Sequence, residues 1–302
     1  MTTAAVVGAG TIGLSWAALF AARGLDVRLQ DPRPDLPDLL AATVADLEPL
    51  LGPFGARITV VPDLEAAVTG ADVVQENGPE VLELKQDLFA RVEAAAPATA
   101  LLLSSTSGLM PSQMAARMRD PGRLVVGHPF NPPHVVPLVE VVPGARTPDA
   151  TARAAADFYR SLGKVPVVLR KEVGGFVANR LQSALFRESV SLVLDGVVTP
   201  EELDQVVTES VGVRWATAGP FESYHLGGGP GGIRHLLEHL GPGMARRWQD
   251  LGQPELTAEV VERLSAATEQ RFAGQDHADR ARRRDAVQLA VLAAREAARR
   301  ES

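Results

Sequence analysis

A histidine and a glutamate are the two residues of this sequence whose types and spacing best suit a proton transfer. His128 ends an apolar, β-branched run in the segment LVVGHPFNPPHVVPLVE, residues 124–140, and a second apolar run carries Glu140. If the two runs are neighbouring strands, the carboxylate can bond one ring nitrogen, fix the tautomer and make the other nitrogen basic. The alternative is a buried histidine that caps a turn beside an ordinary surface glutamate, and this segment alone does not separate the two.

The second motif with a chemical meaning lies near the N-terminus, where a strand-forming run is followed by GAGTIG and then by a helical pattern. Glycines at these spacings allow a tight turn, a close approach of the backbone to a pyrophosphate, and close packing of helix on strand. The N-terminus of the helix also offers free N–H groups to an anion. The candidate cofactor-binding residues of this turn are Gly8, Gly10, Thr11, Ile12 and Gly13.

An acidic residue indicates which dinucleotide this turn would bind. Asp31 stands at the end of the next predicted strand, Asp26 to Gln30, where a carboxylate accepts both ribose hydroxyls. Because a carboxylate repels a 2′-phosphate, NAD is favoured over NADP, although Arg33 could soften this exclusion. Strand, turn, helix and acid in register therefore predict NAD binding rather than a merely structural glycine loop.

The elements that must position these residues follow an alternating pattern. Strand and helix patterns alternate up to Leu169, and from Glu172 onward the patterns are helical throughout. We therefore predict an α/β chain, with an N-terminal Rossmann-type domain that has a mainly parallel sheet, residues 1–171. An all-α C-terminal domain, residues 172–302, follows it.

Two further clusters follow strands of the predicted sheet, where ligands bind in open α/β folds. Glu80 and Lys85 lie near the start of a predicted helix, and the turn SSTSG carries the hydroxyls of Ser105 and Ser107. The hydroxyls could bond a nicotinamide ribose or a substrate alcohol, and equally they could cap the next helix. The two charged residues could equally be a solvated helix turn.

Composition excludes several classes of function. Lys and Arg number 30 against 37 Asp and Glu, and a net charge of -7 disfavours nucleic acid as a partner. The chain has no cysteine, so it has no disulfide framework and no cysteine zinc site. No stretch approaches the roughly 20 apolar residues of a membrane span, and the N-terminus lacks the charged region of a signal peptide. We therefore expect a cytoplasmic protein that binds neither nucleic acid nor membrane.

A competing motif lies in the second half of the chain. His235, Glu238 and His239 form HxxEH, which resembles the inverted zinc protease signature, with two histidines on zinc and a glutamate as base. The motif is short, no third ligand is evident, and a nucleotide fold in half of the chain would be left unexplained. We therefore predict a solvated polar helix face here, and no metal site.

Five motifs together resemble the L-3-hydroxyacyl-CoA dehydrogenase superfamily. They are GAGTIG with Asp31, the ExxxxK of Glu80 and Lys85, SSTSG, HPFNPP with Glu140 twelve positions after His128, and GFVANRL. The similarity covers nearly the whole chain. The segments KEVGGFVANRLQ, GVVTPEELD and GVRWATAGPFESYHL look most like the branch that contains lambda-crystallin (L-gulonate 3-dehydrogenase), carnitine dehydrogenases and short 3-hydroxyacyl-CoA dehydrogenases.

The resemblance implies an NAD-dependent oxidation of a C3 hydroxyl. On the substrate side it implies a general base, its orienting carboxylate, a hydroxyl and a positioning amide, which are His128, Glu140, Ser107 and Asn179. On the cofactor side it adds Glu80, Lys85, Ser105 and Asn131, although Ser105 stands where many acyl-CoA enzymes carry asparagine. It also implies that the substrate is a small molecule and that the helical domain forms a homodimer.

The segment after Asp31 favours a free acid as the substrate. Acyl-CoA members of the family usually carry a long, lysine-rich helical excursion here, where the CoA is met, whereas Pro32 to Arg57 is short and has no lysine. We therefore expect a short 3-hydroxy acid such as L-gulonate. An arginine such as Arg180 or Arg214, chosen by position alone, would bind its carboxylate.

Two other substrates and one role without catalysis remain open as alternatives. One is a 3-hydroxyacyl-CoA thioester. Another is L-carnitine, whose quaternary ammonium would need aromatic faces from residues such as Trp215, Phe221 and Tyr224. The third is a structural, crystallin-like NAD-binding role, against which the retention of the whole set of candidate catalytic residues speaks.

Overall fold

The computed structural model describes residues 2–301, and the chain divides after Arg180 into two compact units. The first unit is built on a single eight-stranded sheet in the order β3-β2-β1-β4-β5-β6-β7-β8. Its strands are β1 (Thr3–Val7), β2 (Asp26–Gln30), β3 (Ile58–Val60), β4 (Val73–Glu76), β5 (Leu101–Ser104), β6 (Leu124–Pro129), β7 (Leu138–Pro143) and β8 (Val165–Val168). Neighbouring strands are parallel except for β6 and β7, which are antiparallel.

Helices connect the strands and cover both faces of this sheet. They are α1 (Thr11–Ala22), α2 (Leu36–Leu51), α3 (Leu64–Val68), α4 (Leu82–Ala95), α5 (Pro111–Met114) and α6 (Asp149–Ser161). On one face the fully buried rings of Trp16, Phe20 and Tyr159 pack together, and on the other Phe89 and Phe176 are fully buried. Apolar burial on two faces explains why the strands read as nearly continuous apolar runs.

The second unit is helical. It contains most of α7 (Ala178–Leu194), then α8 (Pro200–Val206), α9 (Gly212–Thr217), α10 (Pro220–Gly227), α11 (Gly232–Asp250), α12 (Ala258–Phe272) and α13 (His277–Glu301), with a π-helical segment at Val207–Val211. Thr199 and Glu202 form a capping box, with Pro200 at the first helical position. Among residues 2–301, no helix combines the length and the hydropathy that a membrane crossing needs.

The fold class predicted from the sequence is confirmed: a mostly parallel, Rossmann-type unit is followed by a helical one. Helix α1 begins at Thr11, within the GAGTIG motif. Glu80 and Lys85 were expected near the start of one helix, and that helix, α4, begins at Leu82. As a result Glu80 precedes its helix and belongs to the loop after β4.

Candidate active site

His128 and Glu140 are partners across two adjacent strands. In the antiparallel register of β6 and β7, His128 lies opposite Glu140. Nδ1 of the histidine is 2.8 Å from Oε2 of the glutamate, and both side chains are buried. The two apolar runs are therefore neighbouring strands, as the bond between His128 and Glu140 requires. With Nδ1 bound to a carboxylate, Nε2 is the ring nitrogen that can act as a base.

The second oxygen of Glu140 is bound by the start of α7. Oε1 accepts the backbone N–H groups of Val177 and Ala178 at 2.9 and 3.0 Å. Burial by itself would raise the pKa of Glu140, but the bonds from His128 and from these two amides outweigh it and hold the pKa below its usual value. The carboxylate therefore stays ionised beside the histidine at neutral pH.

Two phenylalanine rings enclose the imidazole. The ring centroid of Phe130 lies 4.7 Å from that of His128, and the centroid of Phe176 lies 5.3 Å away. Phe176 is fully buried, whereas Phe130 is half-buried. Phe130 therefore keeps part of its ring available to a ligand that reaches His128.

The SSTSG turn is held by a carboxylate and an amide. Oε1 of Glu80 accepts the hydroxyl of Thr106 and the backbone N–H groups of Ser107 and Gly108, the latter two at 3.0 and 3.1 Å. Nδ2 of Asn179, in the first turn of α7, donates to the carbonyl oxygen of Ser107 at 2.9 Å. The Ser107 side chain is exposed, so its hydroxyl is presented on a loop that is fixed from both sides.

A buried ion pair lies beneath this turn. Lys85 is 2% exposed and its ammonium is 2.6 Å from Oε1 of Glu76, which is itself fully buried. The same ammonium donates to Gly78 O at 3.1 Å and lies 3.7 Å from Glu80. Glu76 also accepts the hydroxyl of Ser104 at 2.6 Å. Lys85 is therefore a buried support for the loops after β4 and β5 and not an exposed cation.

The glycine turn has the shape that a dinucleotide pyrophosphate requires. A Cβ on Gly13 would lie 1.9 Å from the carbonyl oxygen of Gly8, which itself has a φ of 92°. A Cβ on Gly10 would meet nothing within 4 Å, so space is open above the turn. Helix α1 begins at Thr11 with no side-chain cap, which leaves its first N–H groups, including that of Ile12, to an anion.

Asp31 ends β2 beside this turn. Its Oδ2 accepts the N–H of Ala9 at 2.7 Å and its Oδ1 accepts the N–H of Arg33 at 3.0 Å. A carboxylate has about four lone-pair sites, so both oxygens keep capacity for ribose hydroxyls. Arg33 pairs with Asp35 at 2.7 Å. The residues of this turn thus fit the adenosine ribose and pyrophosphate of NAD.

The remaining candidates are more dispersed. Ser105 Oγ is engaged by three protein groups, since it accepts from Trp16 and Gln75 and donates to Asn77. Asn131 is exposed in the loop after β6. His235 and His239 have ring centroids 4.8 Å apart on α11, and residues 2–301 contain no group of three or more side chains suited to hold a metal.

The sequence missed several side chains that complete this site. Glu76 closes an apolar strand, and a carboxylate at the end of such a run is itself a signal of a functional or paired acid. Phe130 stands two residues after His128, and a period of two puts both side chains on one face of an extended chain. Phe176 comes from a distant segment and offered no local signal.

Comparisons with known proteins agree with this architecture. The family described as 3-hydroxyacyl-CoA dehydrogenase, NAD binding domain, matches residues 3–173, and the corresponding C-terminal domain family matches residues 175–273. An L-carnitine dehydrogenase of Streptomyces griseus is 47% identical over 297 residues, covering 96% of this chain and 89% of the relative. An L-carnitine dehydrogenase of Pseudomonas aeruginosa is 44% identical over 299 residues, covering 97% and 93%.

One solved structure is similar to this chain over almost the whole length of both proteins. It is the NAD+-dependent 5-formyl-3-hydroxy-2-methylpyridine 4-carboxylic acid 5-dehydrogenase, with a TM-score of 0.81 and 32% identity, covering 96% of this chain and 99% of that one. The predicted resemblance, the NAD cofactor and the oxidoreductase class are thereby confirmed. The chain belongs to the 3-hydroxyacyl-CoA dehydrogenase family and is an NAD-dependent dehydrogenase.

Proposed function

We propose that this enzyme oxidises the C3 hydroxyl of L-carnitine with NAD. The observation that carries this proposal is the buried pair of His128 and Glu140, 2.8 Å apart, with the half-buried ring of Phe130 against the histidine. Carnitine is itself a short free 3-hydroxy acid, the class that the lysine-free segment Pro32 to Arg57 favours. The relatives named L-carnitine dehydrogenase support carnitine over L-gulonate, which the sequence alone had favoured.

The residues of the site divide the work of this oxidation. Nε2 of His128 takes the proton from the C3 hydroxyl, and Glu140 stabilises the imidazolium that forms. Bound NAD supplies the acceptor for the hydride that leaves C3. Ser107 presents its hydroxyl to the oxygen of the substrate, and Asn179 keeps the Ser107 loop in position through the bond to the Ser107 carbonyl oxygen.

Phe130 suits the quaternary ammonium of carnitine. This cation stands on the carbon next to C3, so an alcohol bonded to His128 brings it within a few ångströms of the imidazole. The exposed part of an aromatic ring is a favourable contact for such a cation, worth roughly 0.5–2 kcal/mol. Trp215, Phe221 and Tyr224, which the sequence suggested for this role, lie in the second unit. We assign the contact to Phe130 because its ring lies against His128, with Arg180 as the candidate partner of the carboxylate.

The cofactor side of the proposal uses the residues at the strand ends. Gly8, Gly10 and Gly13, with the N–H groups of Thr11 and Ile12, would bind the pyrophosphate, and Asp31 would bind the adenosine ribose. Glu80 and Asn131 would meet the nicotinamide half. Lys85 would act through the loop that it supports, because its ammonium is buried against Glu76.

The domain roles and the assembly belong to the same proposal. We assign NAD binding to residues 1–171 and substrate binding and dimerisation to residues 172–302. The helical unit exposes many large apolar side chains, as expected of a surface that a second copy covers. The cytoplasmic location expected from the sequence stays a prediction.

A substrate panel tests the proposed reaction. With NAD in excess, NADH absorbance is followed for L-carnitine, L-gulonate, 3-hydroxybutyrate and its CoA thioester. We expect kcat/KM for L-carnitine to exceed that for each of the others at least about tenfold, because only carnitine offers both a carboxylate and a cation. A higher kcat/KM for the thioester would assign the chain to acyl-CoA oxidation, and no turnover of any alcohol would favour a structural role.

The Phe130→Leu variant provides the internal control of this panel. Leucine keeps the apolar contact with His128 but has no aromatic face. The variant should raise KM for L-carnitine about five- to tenfold, while KM for 3-hydroxybutyrate, which lacks the cation, should change less than about twofold. Equal changes for the two acids would contradict the role assigned to Phe130.

A further inference from the structure

A chain of hydrogen bonds runs through the core of the first unit and ends at the carboxyl end of the sheet. Tyr159 donates its hydroxyl to Gln75 Oε1 at 2.8 Å, and Gln75 Nε2 donates to Ser105 Oγ at 2.9 Å. Ser105 donates onward to Asn77 Oδ1 at 2.7 Å. We call Tyr159, Gln75, Ser105 and Asn77 the core relay. Tyr159 and Gln75 are fully buried, so water cannot replace a lost partner there.

Trp16 fixes the direction of this relay. An indole N–H can only donate, and Trp16 Nε1 donates to Ser105 Oγ at 3.1 Å. Since Trp16 and Gln75 fill both acceptor positions of the Ser105 hydroxyl, its one hydrogen goes to Asn77. The amide of Asn77 in turn donates to the carbonyl oxygens of Gln75 and Val7 at 3.0 and 3.3 Å. Ser105 therefore has no hydrogen-bonding capacity left for a ligand.

The core relay joins two parts of the proposed site. One is β6, the strand that carries His128, and the other is the half of the sheet that would bind nicotinamide. At one end, a Cβ on Gly127 would lie 1.9 Å from the hydroxyl of Tyr159, and Gly127 directly precedes His128 on β6. At the other end, Asn77 and Ser105 follow β4 and β5. These strands form the half of the sheet away from β2 and its ribose-binding carboxylate, which is the nicotinamide half of a dinucleotide fold.

We propose that Tyr159, Gln75 and Ser105 are positioning residues that orient the Asn77 side chain beneath the nicotinamide ring. Through Tyr159 they would also align this side chain with β6, the strand that carries His128. The backbone of Asn77 is held separately, because its N–H donates to Val7 O at 2.7 Å. Loss of the core relay therefore frees the Asn77 side chain, while this backbone bond still joins the loop after β4 to β1. This proposal rests on NAD binding and not on which alcohol is oxidised.

The test compares NADH with ADP-ribose, which lacks the nicotinamide ring, by titration of the purified full-length protein. In Tyr159→Phe and Ser105→Ala, Kd for NADH should rise about tenfold, the effect of one hydrogen bond lost from a buried network. Kd for ADP-ribose should change less than about threefold. Kd for NADH in the double variant should be about equal to the higher of the two single-variant values, because both substitutions break the same relay.

A rescue variant and a matched control separate positioning from general destabilisation. Ser105→Thr keeps the hydroxyl and should bind NADH within about threefold of the unsubstituted protein. Thr147→Val removes a hydroxyl that also makes two internal bonds, to Leu124 O at 2.9 Å and from Gly144 N at 3.0 Å, outside the core relay. It should lower the melting temperature without changing either Kd. Equal weakening of NADH and ADP-ribose, or unchanged NADH binding in the folded relay variants, would overturn the proposal.

Discussion

His128 can act as a base because its surroundings make its two ring nitrogens different. The bond from Nδ1 to Glu140 fixes the tautomer, and the amides of Val177 and Ala178 help to keep that carboxylate ionised although it is buried. When the imidazole takes a proton, the new positive charge forms directly beside a negative one. In the proposed reaction, the pair is therefore stabilised most in the step in which this charge develops.

Replacing His128 by glutamine tests this role at the level of one residue. Glutamine can still donate a hydrogen bond to Glu140, so the strands should keep their pairing, but it cannot accept a proton. We expect kcat to fall at least about a hundredfold, while Kd for NADH changes less than about threefold. Stopped-flow or steady-state NADH absorbance gives the first quantity and NADH fluorescence titration gives the second.

The exposed histidine His239 provides the matched control for this experiment. It lies on α11, and His239→Gln should leave kcat and NADH binding unchanged. Near-normal turnover in His128→Gln would remove His128 from the mechanism.

The sequence could predict the partner of His128 but not its whole environment. Two apolar runs joined by a proline-rich loop are typical of adjacent strands, and such strands bring His128 and Glu140 together. The burial of Glu76 with Lys85 was not predictable, because a lysine on a helix is ordinarily solvated. Lys85 donates to Gly78 in the loop after β4, and Glu76 accepts the hydroxyl of Ser104 at the end of β5, so the buried pair depends on residues far apart in the chain.

At the level of elements, the loop after β6 is fixed to two other elements. Lys164, which precedes β8, donates to the carbonyl oxygens of Pro133 and Val136, the first at 2.5 Å. Ser15 of α1 accepts the backbone N–H of His134 at 3.0 Å. This loop carries the chain away from His128, so its attachment keeps the end of β6 in place. Burial lowers the pKa of Lys164 to about 8.

The lowered pKa of Lys164 makes stability depend on pH in a defined window. Below pH 8 both the folded and the unfolded chain hold the proton. Between about pH 8 and 10.5 only the unfolded chain holds it, so the free energy of unfolding should rise with pH, in total by about 3 kcal/mol. Lys164→Met should lose this rise, which urea unfolding at pH 7.5 and at about pH 11 would measure, on either side of the window.

Lys171 provides the control for this measurement, since it is exposed. Lys171→Met should keep the rise of the unsubstituted protein. An equal rise in Lys164→Met would mean that other groups cause it.

The strands and the glycine turn of the first unit were predictable because local chemistry decides them. The β-branched runs and the glycines are visible in neighbouring residues. The helices of the second unit were less predictable. The π-helical segment Val207–Val211, between α8 and α9, interrupts the α-helical pattern.

On the scale of the whole molecule, the second unit has a large exposed apolar surface. Helices α7, α8 and α12 line a groove of 670 Å³ in which Leu185 and Phe186 are exposed, the latter by 63%. Helix α13 has no buried residue although it is 25 residues long. A monomer rarely leaves so many large apolar side chains in water. A second copy, which presents the same surface, is the partner that closed symmetry provides.

We therefore expect a dimer that depends on this groove, and Phe186→Glu tests it. The substitution puts a charge where the second copy would pack, so burial of an unpaired carboxylate should weaken association by several kcal/mol. Light scattering after gel filtration should give twice the mass of one chain for the unsubstituted protein and a single chain for the variant at micromolar concentration. Leu84→Glu, at a residue 55% exposed in the first unit, should remain dimeric. A monomeric parent, or a dimeric Phe186→Glu, would exclude this surface as the interface.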